Sequence, residues 1–250
     1  MGRHVGFFND ASKLHGYNHA ADARDNPEKV VSGRFTRTLD AFTSQRLSQV
    51  ETCSGFKVTR SQKPGKFRYL DVTGVVAVTC IRHGCVQCQG LVDMLAGERC
   101  VFFGLYGQQC LTYQFRFMLL DLALSGALES ARALHEFLLT YDVGCSYVKN
   151  LLARWDKYKL PPHLRDIIQK MKVLLPQMHM LAHKDSCQTE YAVCYTLGAG
   201  HSNGESVEIL WAVHNLAGLS TREMNRGGRH DALNDLFSFW NWTKNENMGE

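Results

Sequence analysis

The sequence has little proline, 5 residues in 250, and shows no internal repeat or low-complexity tract, which excludes collagen-like, solenoid and disordered architectures. No apolar run approaches the roughly 20 residues that a membrane helix needs. The longest, at residues 115–124 and 134–141, are short or broken by charge. The opening Met1-Gly-Arg-His4-Val-Gly-Phe7-Phe8 lacks the apolar stretch of a signal peptide, so the expectation is an intracellular protein that meets no membrane. Charge is also sparse, at 21% with a net +4, which permits nucleic-acid contact without requiring it. What the chain has in excess is cysteine. Nine residues, an odd number at irregular spacings, argue for a reducing compartment in which thiols serve as ligands or core residues. A chain of this length buries enough apolar surface to fold without a disulfide framework.

The first 65 residues are polar and irregular, and read as an excursion or insertion outside the core. The character changes at Asp71, because residues 72–81 are β-branched and apolar on both faces, the pattern of a buried strand. A turn at Arg82-His83-Gly84 and a second strand over 86–94 predict a hairpin. Residues 105–139 read as one or two apolar helices, and Phe137-Leu-Leu-Thr140-Tyr141-Asp142-Val143 as a short buried strand with an acid at its end. Helical spacing returns over 147–158 and, after Pro161-Pro162, over 163–174 until Pro176. The Gly198-Ala-Gly200 loop leads to a helix beginning near Asn203, and a last helix is expected over 231–242.

Three clusters could carry chemistry. Cys80, His83, Cys85 and Cys88 lie within nine residues, too crowded to close one zinc tetrahedron unaided. Cys80 and His83 could form a pair completed by Cys53, or these could be buried thiols beside a solvent-facing histidine. In the second cluster His179, His183 and Cys187 recur every four residues, so a helix would place them on one face, with Cys145 able to add a fourth ligand. The third is acidic: Asp142 at its strand end, with Glu205 and Glu208 close together on the later helix. Such carboxylates are commonly solvated surface. An acid at a strand end, a glutamate on a later helix and an early aspartate can, however, hold two divalent cations for in-line phosphoryl transfer. Mg²⁺ or Mn²⁺ would suit oxygen ligands of this kind.

These residues stand in seven ordered segments: Thr52-Cys53-Ser-Gly-Phe56; residues 70–84; Gly97-Glu-Arg99; Tyr141-Asp142-Val-Gly144-Cys145-Ser-Tyr147; His179 to Cys187; Gly204-Glu205-Ser-Val-Glu208-Ile-Leu-Trp211; and Gly228-Arg229-His230-Asp231 onward. In this order the chain resembles the Kyakuja–Dileera–Zisupton (KDZ) transposases, especially their cysteine-cluster-associated members. The resemblance implies an α/β, ribonuclease H-like core, a mixed sheet flanked by helices, with an insertion between the first and second strands. The divisions would be a first core strand in 1–14, a zinc-stabilised insertion in 15–70, the transposase core in 71–242 and a tail in 243–250. It implies an Asp-Asp-Glu set that cleaves and joins DNA strands with Mg²⁺ or Mn²⁺. Asp142 is then the second acid and Glu208 the third, with Glu205 as the rival. The family's opening motif matches Phe8-Asn9-Asp10-Ala-Ser-Lys13-Leu14, which places the first acid on Asn9 without a gap and on Asp10 with one deletion. Asp10 is taken as that acid. The zinc ligands implied are Cys53, Cys80 and His83, with Cys145, His179, His183 and Cys187 as a further set. Partners would be transposon-end and target DNA and a second copy of the chain, in the nucleus. Family members are generally longer, so the resemblance implies a truncated core. A catalytically dead relic or a domesticated DNA- or zinc-binding protein is the alternative.

Overall fold

A computed structural model describes residues 6–9, 72, 74–94 and 117–249. Within them the protein is a mixed α/β structure with two small sheets flanked by helices. Strands β1 (Gly74–Thr79) and β2 (Val86–Met94) form the expected antiparallel hairpin, turning through Arg82, His83 and Gly84. Its register shifts between Ala77 and Thr79, and Gln89 there takes φ 55°. The opening residues run parallel to the outer edge of β2: Leu91 N–H donates to the Phe7 carbonyl at 3.0 Å and Asn9 N–H to the Leu91 carbonyl at 2.8 Å.

Helix α1 (Met118–Ala131) covers this sheet. It buries Leu122, Ala123, Leu124 and Leu128, the broad apolar face expected of a core helix. Strand β3 (Leu138–Thr140) follows, and the chain then passes through α2 (Gly144–Tyr147), α3 (Leu151–Lys157) and α4 (Arg165–Lys170) to β4 (Lys172–Leu174), which pairs parallel with β3. Helices between parallel strands are the standard crossover, since a parallel pair cannot be joined by a tight turn. Tyr147, Leu151, Trp155, Leu164 and Ile168 from the crossover pack against α1 in one core. Inside it Asp121 and Arg154, 0% and 2% exposed, form a bidentate pair with N–O distances of 2.7 and 3.1 Å.

The chain continues through α5 (Gln177–Met180), α6 (Asp185–Tyr191), α7 (Ser206–His214), α8 (Ala217–Thr221) and α9 (Arg226–Glu246). The Asn225 side chain caps α9 by accepting from Gly228 N–H at 2.8 Å. α9 packs Leu233 and Phe237 against Phe7, Val86 and Leu91 in a second core. It also grips the hairpin through polar contacts. Asn241 exchanges two 2.8 Å hydrogen bonds with the Val86 backbone, and Trp240 Nε1 donates to the Gly84 carbonyl at 2.9 Å.

The structure departs from the sequence reading at three elements. The helix expected over 163–174 stops at Lys170, because Met171 turns to an extended conformation and Val173-Leu174 pair with β3. The last helix starts at Arg226, earlier than the expected 231, despite Gly227 and Gly228 in its first turn. Arg229 and His230 there both bind the buried Asp93 carboxylate of β2, and these contacts outweigh weak helix propensity. Third, the stretch 179–187, whose spacing would give one face if it were a single helix, is divided between the end of α5 and the start of α6, with 181–184 in neither.

Candidate metal centres around Asp142

Asp142 follows β3 in a tight turn that Gly144 N–H closes on the Tyr141 carbonyl at 2.8 Å. A side chain at 144 is excluded by packing: a Cβ there would lie 2.8 Å from the Leu174 carbonyl oxygen. This close seat of α2 on β4 fixes the direction of the Asp142 turn. On the other side, Gly204 has φ +81° and would bring a Cβ within 3.0 Å of Thr140 and 3.1 Å of Pro176. Only glycine combines that backbone with that approach. The Thr140 hydroxyl donates to the Gly204 carbonyl at 3.1 Å, and Gln177 N–H to the Asn203 carbonyl at 2.8 Å. The end of β3, the start of α5 and the start of α7 are thereby brought together.

Each of these elements presents a polar side chain to one site. Asp142 Oδ2 lies 3.6 Å from His179 Nε2, and Glu208 Oε1 lies 3.8 Å from the same nitrogen. Ligand atoms of Asp142, His179 and Glu208 all fall within 4.8 Å of one another. Glu205 reaches His179 from behind, with Oε2 at 3.2 Å from Nδ1. The two glutamates are distinguished by their surroundings. Glu205 is 4% exposed and its Oε1 accepts from Met178 N–H at 2.8 Å, anchoring the first turn of α5. The Glu208 side chain is 46% exposed and open to a ligand.

A second group lies beside the first. Cys145 Sγ is 3.5 Å from His183 Nδ1, and Cys187 completes a set whose ligand atoms are also within 4.8 Å of one another. The His183 Nε2 donates to the Asp142 backbone carbonyl at 2.7 Å. Burial pushes the His183 pKa down, the hydrogen bond to Asp142 opposes this, and the nearby His179 adds to it. The two histidines, four residues apart, therefore serve different groups. α5 ends after one turn, with His183 N–H donating to the Met180 carbonyl, and α6 starts afresh at Asp185.

Among the remaining expected residues, Cys80 Sγ lies 3.5 Å from His83 Nδ1 at the hairpin turn. Asn9 is 9% exposed and its amide donates to the Leu122 carbonyl at 3.0 Å, bonded into the α1 packing. Asp10 and Cys53 lie outside the described residues.

A family model for the Kyakuja-Dileera-Zisupton transposase matches residues 8–241. The chain belongs to that family. No curated protein and no solved structure matches it. The matched span contains both groups around Asp142 and the Cys80–His83 pair, so every candidate centre of this KDZ transposase chain lies inside its family domain. A buried cluster the sequence reading did not single out also lies within it. Asp93 binds Arg229 and, at 2.6 Å, His230, whose ring stacks on Phe8 at 3.8 Å between centroids. The visible signal was an acid near the end of an apolar strand, after Leu91-Val92, and such an acid needs a partner when buried.

Proposed function

We propose that the chain is a ribonuclease H-like transposase core that cleaves and joins DNA strands by metal-dependent phosphoryl transfer. The observation that carries this reading is the meeting of Asp142 and Glu208 in a chain of this family, from a strand end and a helix 66 residues further on. The donor set suits a divalent cation: two carboxylates with an imidazole accommodate Mn²⁺ readily, and the carboxylates also suit Mg²⁺. Such a cation supplies Lewis-acid activation of the attacking oxygen and charge relief at the scissile phosphate. Asp142 and Glu208 would hold it, with Asp10 proposed as the first acid of the set. His179, with carboxylates on both sides of its ring, is oriented by Glu205 to offer Nε2 to the same site. Glu205 acts as a support because its own carboxylate is already engaged by Met178. DNA is the substrate, and the nucleus is where a transposase would meet it.

Nicking of supercoiled DNA in Mg²⁺ or Mn²⁺ tests the reading, with complete loss expected in Asp142→Ala and in Glu208→Ala. Nicking that survives Asp142→Ala refutes it. A second reading, a relic lacking the first acid, draws on Asn9, whose amide is committed to the Leu122 carbonyl and cannot replace a carboxylate. Loss of nicking in Asp10→Ala, with activity unchanged in Asn9→Ser, would rule the relic out.

A further inference from the structure

We propose that Cys145, His183 and Cys187 bind one zinc-like cation, and that this cation, acting through His183, holds the Asp142 turn in place for the acid site. The positioning half rests on the reading of Asp142 as a catalytic acid. The metal half stands independently of it.

The distances accommodate a tetrahedral metal as well as they do a direct Cys145–His183 hydrogen bond. Bonds of about 2.3 Å to sulfur and about 2.05 Å to nitrogen, at the tetrahedral angle, separate the two ligand atoms by about 3.5–3.6 Å. Cys145 Sγ and His183 Nδ1 are 3.5 Å apart, and Cys187 offers its sulfur to the same point within the 4.8 Å spread of the group. Two thiols and an imidazole form a soft donor set that selects zinc-like ions over Mg²⁺. Three protein ligands leave one tetrahedral position to water. Binding converts both thiols to thiolates and releases their protons to solvent.

His183 links the two centres. Its Nε2 carries the proton donated to the Asp142 carbonyl, which directs the Nδ1 lone pair towards the thiols. Metal-ligating histidines are usually oriented by a partner on the other ring nitrogen, and here the partner is the backbone of an acid residue. Cys145 adds a second tether, three positions after Asp142 on α2, while Cys187 comes from α6. The cation therefore ties α2 to α6 across the turn that aims Asp142. His179, four positions before His183, remains with the acids.

Purified protein and the Cys187→Ala variant can be compared by metal analysis and by Mn²⁺ titration followed by electron paramagnetic resonance. Cys187 belongs to the thiol group and is not one of the three residues whose ligand atoms meet at the acid site, so the variant removes a ligand of the proposed cation and none of the Mn²⁺ ligands. The expected result is one zinc per chain fewer in the variant, and a roughly tenfold weaker tightest Mn²⁺ site, within the usual range for removing an outer support. In the cobalt-loaded wild type, thiolate charge-transfer absorption should appear and should fall in Cys187→Ser, a variant that keeps the side-chain size. Unchanged zinc content in both Cys187 variants overturns the metal site and leaves a plain Cys145–His183 hydrogen bond. Zinc lost with Mn²⁺ affinity unchanged overturns the positioning role. Neither readout uses DNA, so failure here and failure of the nicking assay are separate results.

Discussion

Replacing Arg154 with methionine removes the guanidinium that binds Asp121 in the first core, and the cost can be worked from the contacts. Asp121 is fully buried, and Arg154 donates to both of its oxygens, at 2.7 and 3.1 Å. The third arm of Arg154 donates to the Tyr147 carbonyl at 3.1 Å, and its guanidinium lies 5.0 Å from the Phe117 ring centre and 4.7 Å from that of Tyr147. Breaking one partner of such a buried pair costs about 3–5 kcal/mol, a large share of the ~5–15 kcal/mol that holds an ordinary domain together. Methionine keeps most of the volume, so the loss reports the charge. Burial pushes the Asp121 carboxyl up and Arg154 draws it back, so in Arg154→Met the acid stays protonated well above its ordinary 3.8. The unfolded chain releases that proton near 3.8, which stabilises the unfolded state as pH rises. The penalty of the substitution should therefore be small near pH 4 and should grow towards neutrality. Urea denaturation of the wild type, Arg154→Met, Asp121→Leu and the double variant at several pH values measures it. The double variant should recover most of the loss, since apolar residues replace buried ion pairs at little cost. A single-variant loss below about 1 kcal/mol at pH 7, or a double variant no better than Arg154→Met, would refute the reasoning.

Other outcomes follow from single contacts. Glu205→Gln should lower the melting temperature, because a weaker acceptor replaces the carboxylate at Met178 N–H, whereas Glu208→Gln should leave melting nearly unchanged and weaken Mn²⁺ binding. Gly144→Ala should cost about 1–3 kcal/mol by overpacking against the Leu174 carbonyl, and should loosen the Mn²⁺ site with it. Asn225→Ala should cost about 1 kcal/mol in chemical denaturation by uncapping α9. Cys85, whose thiol is pushed above its usual 9.0 by burial and by the neighbouring Cys80, should alkylate more slowly at pH 8 than the exposed Cys194, as mass spectrometry of a time course can show.

The hairpin and the apolar helix after it were legible because their patterns are local: a β-branched run, a turn and a second run need no distant partner to be recognised. β4 was not, because Lys172-Val173-Leu174 continues a helical period and becomes a strand only by pairing with β3, 34 residues earlier. The meeting of Asp142 with Glu208 was readable from their motifs. The division of His179 from His183 was not, since spacing of four implies one face as long as the helix continues. A cue was present in Asp185-Ser186, residues that favour a helix start and lie where α6 begins, between His183 and Cys187. The Asp93 cluster depends on Arg229 and His230, 136 and 137 residues away, beyond the reach of any local pattern.

The grip of α9 on the hairpin has a consequence for how the molecule assembles. Phe7 N–H donates to Asn234 across 227 residues, and Phe8 stacks on His230. Ribosomes add roughly 5–20 residues per second, so the opening segment exists for roughly 11–45 s before its partner helix has been made. During that interval Phe7, joined by Val86 and Leu91 once they are made, has no cover from Leu233 and Phe237. Between the synthesis of β2 and that of α9 the nascent chain thus carries an apolar face without the cover it has in the folded protein, a condition that favours chaperone capture or self-association. Detaching residues 226–246 should expose the same surface in a finished chain.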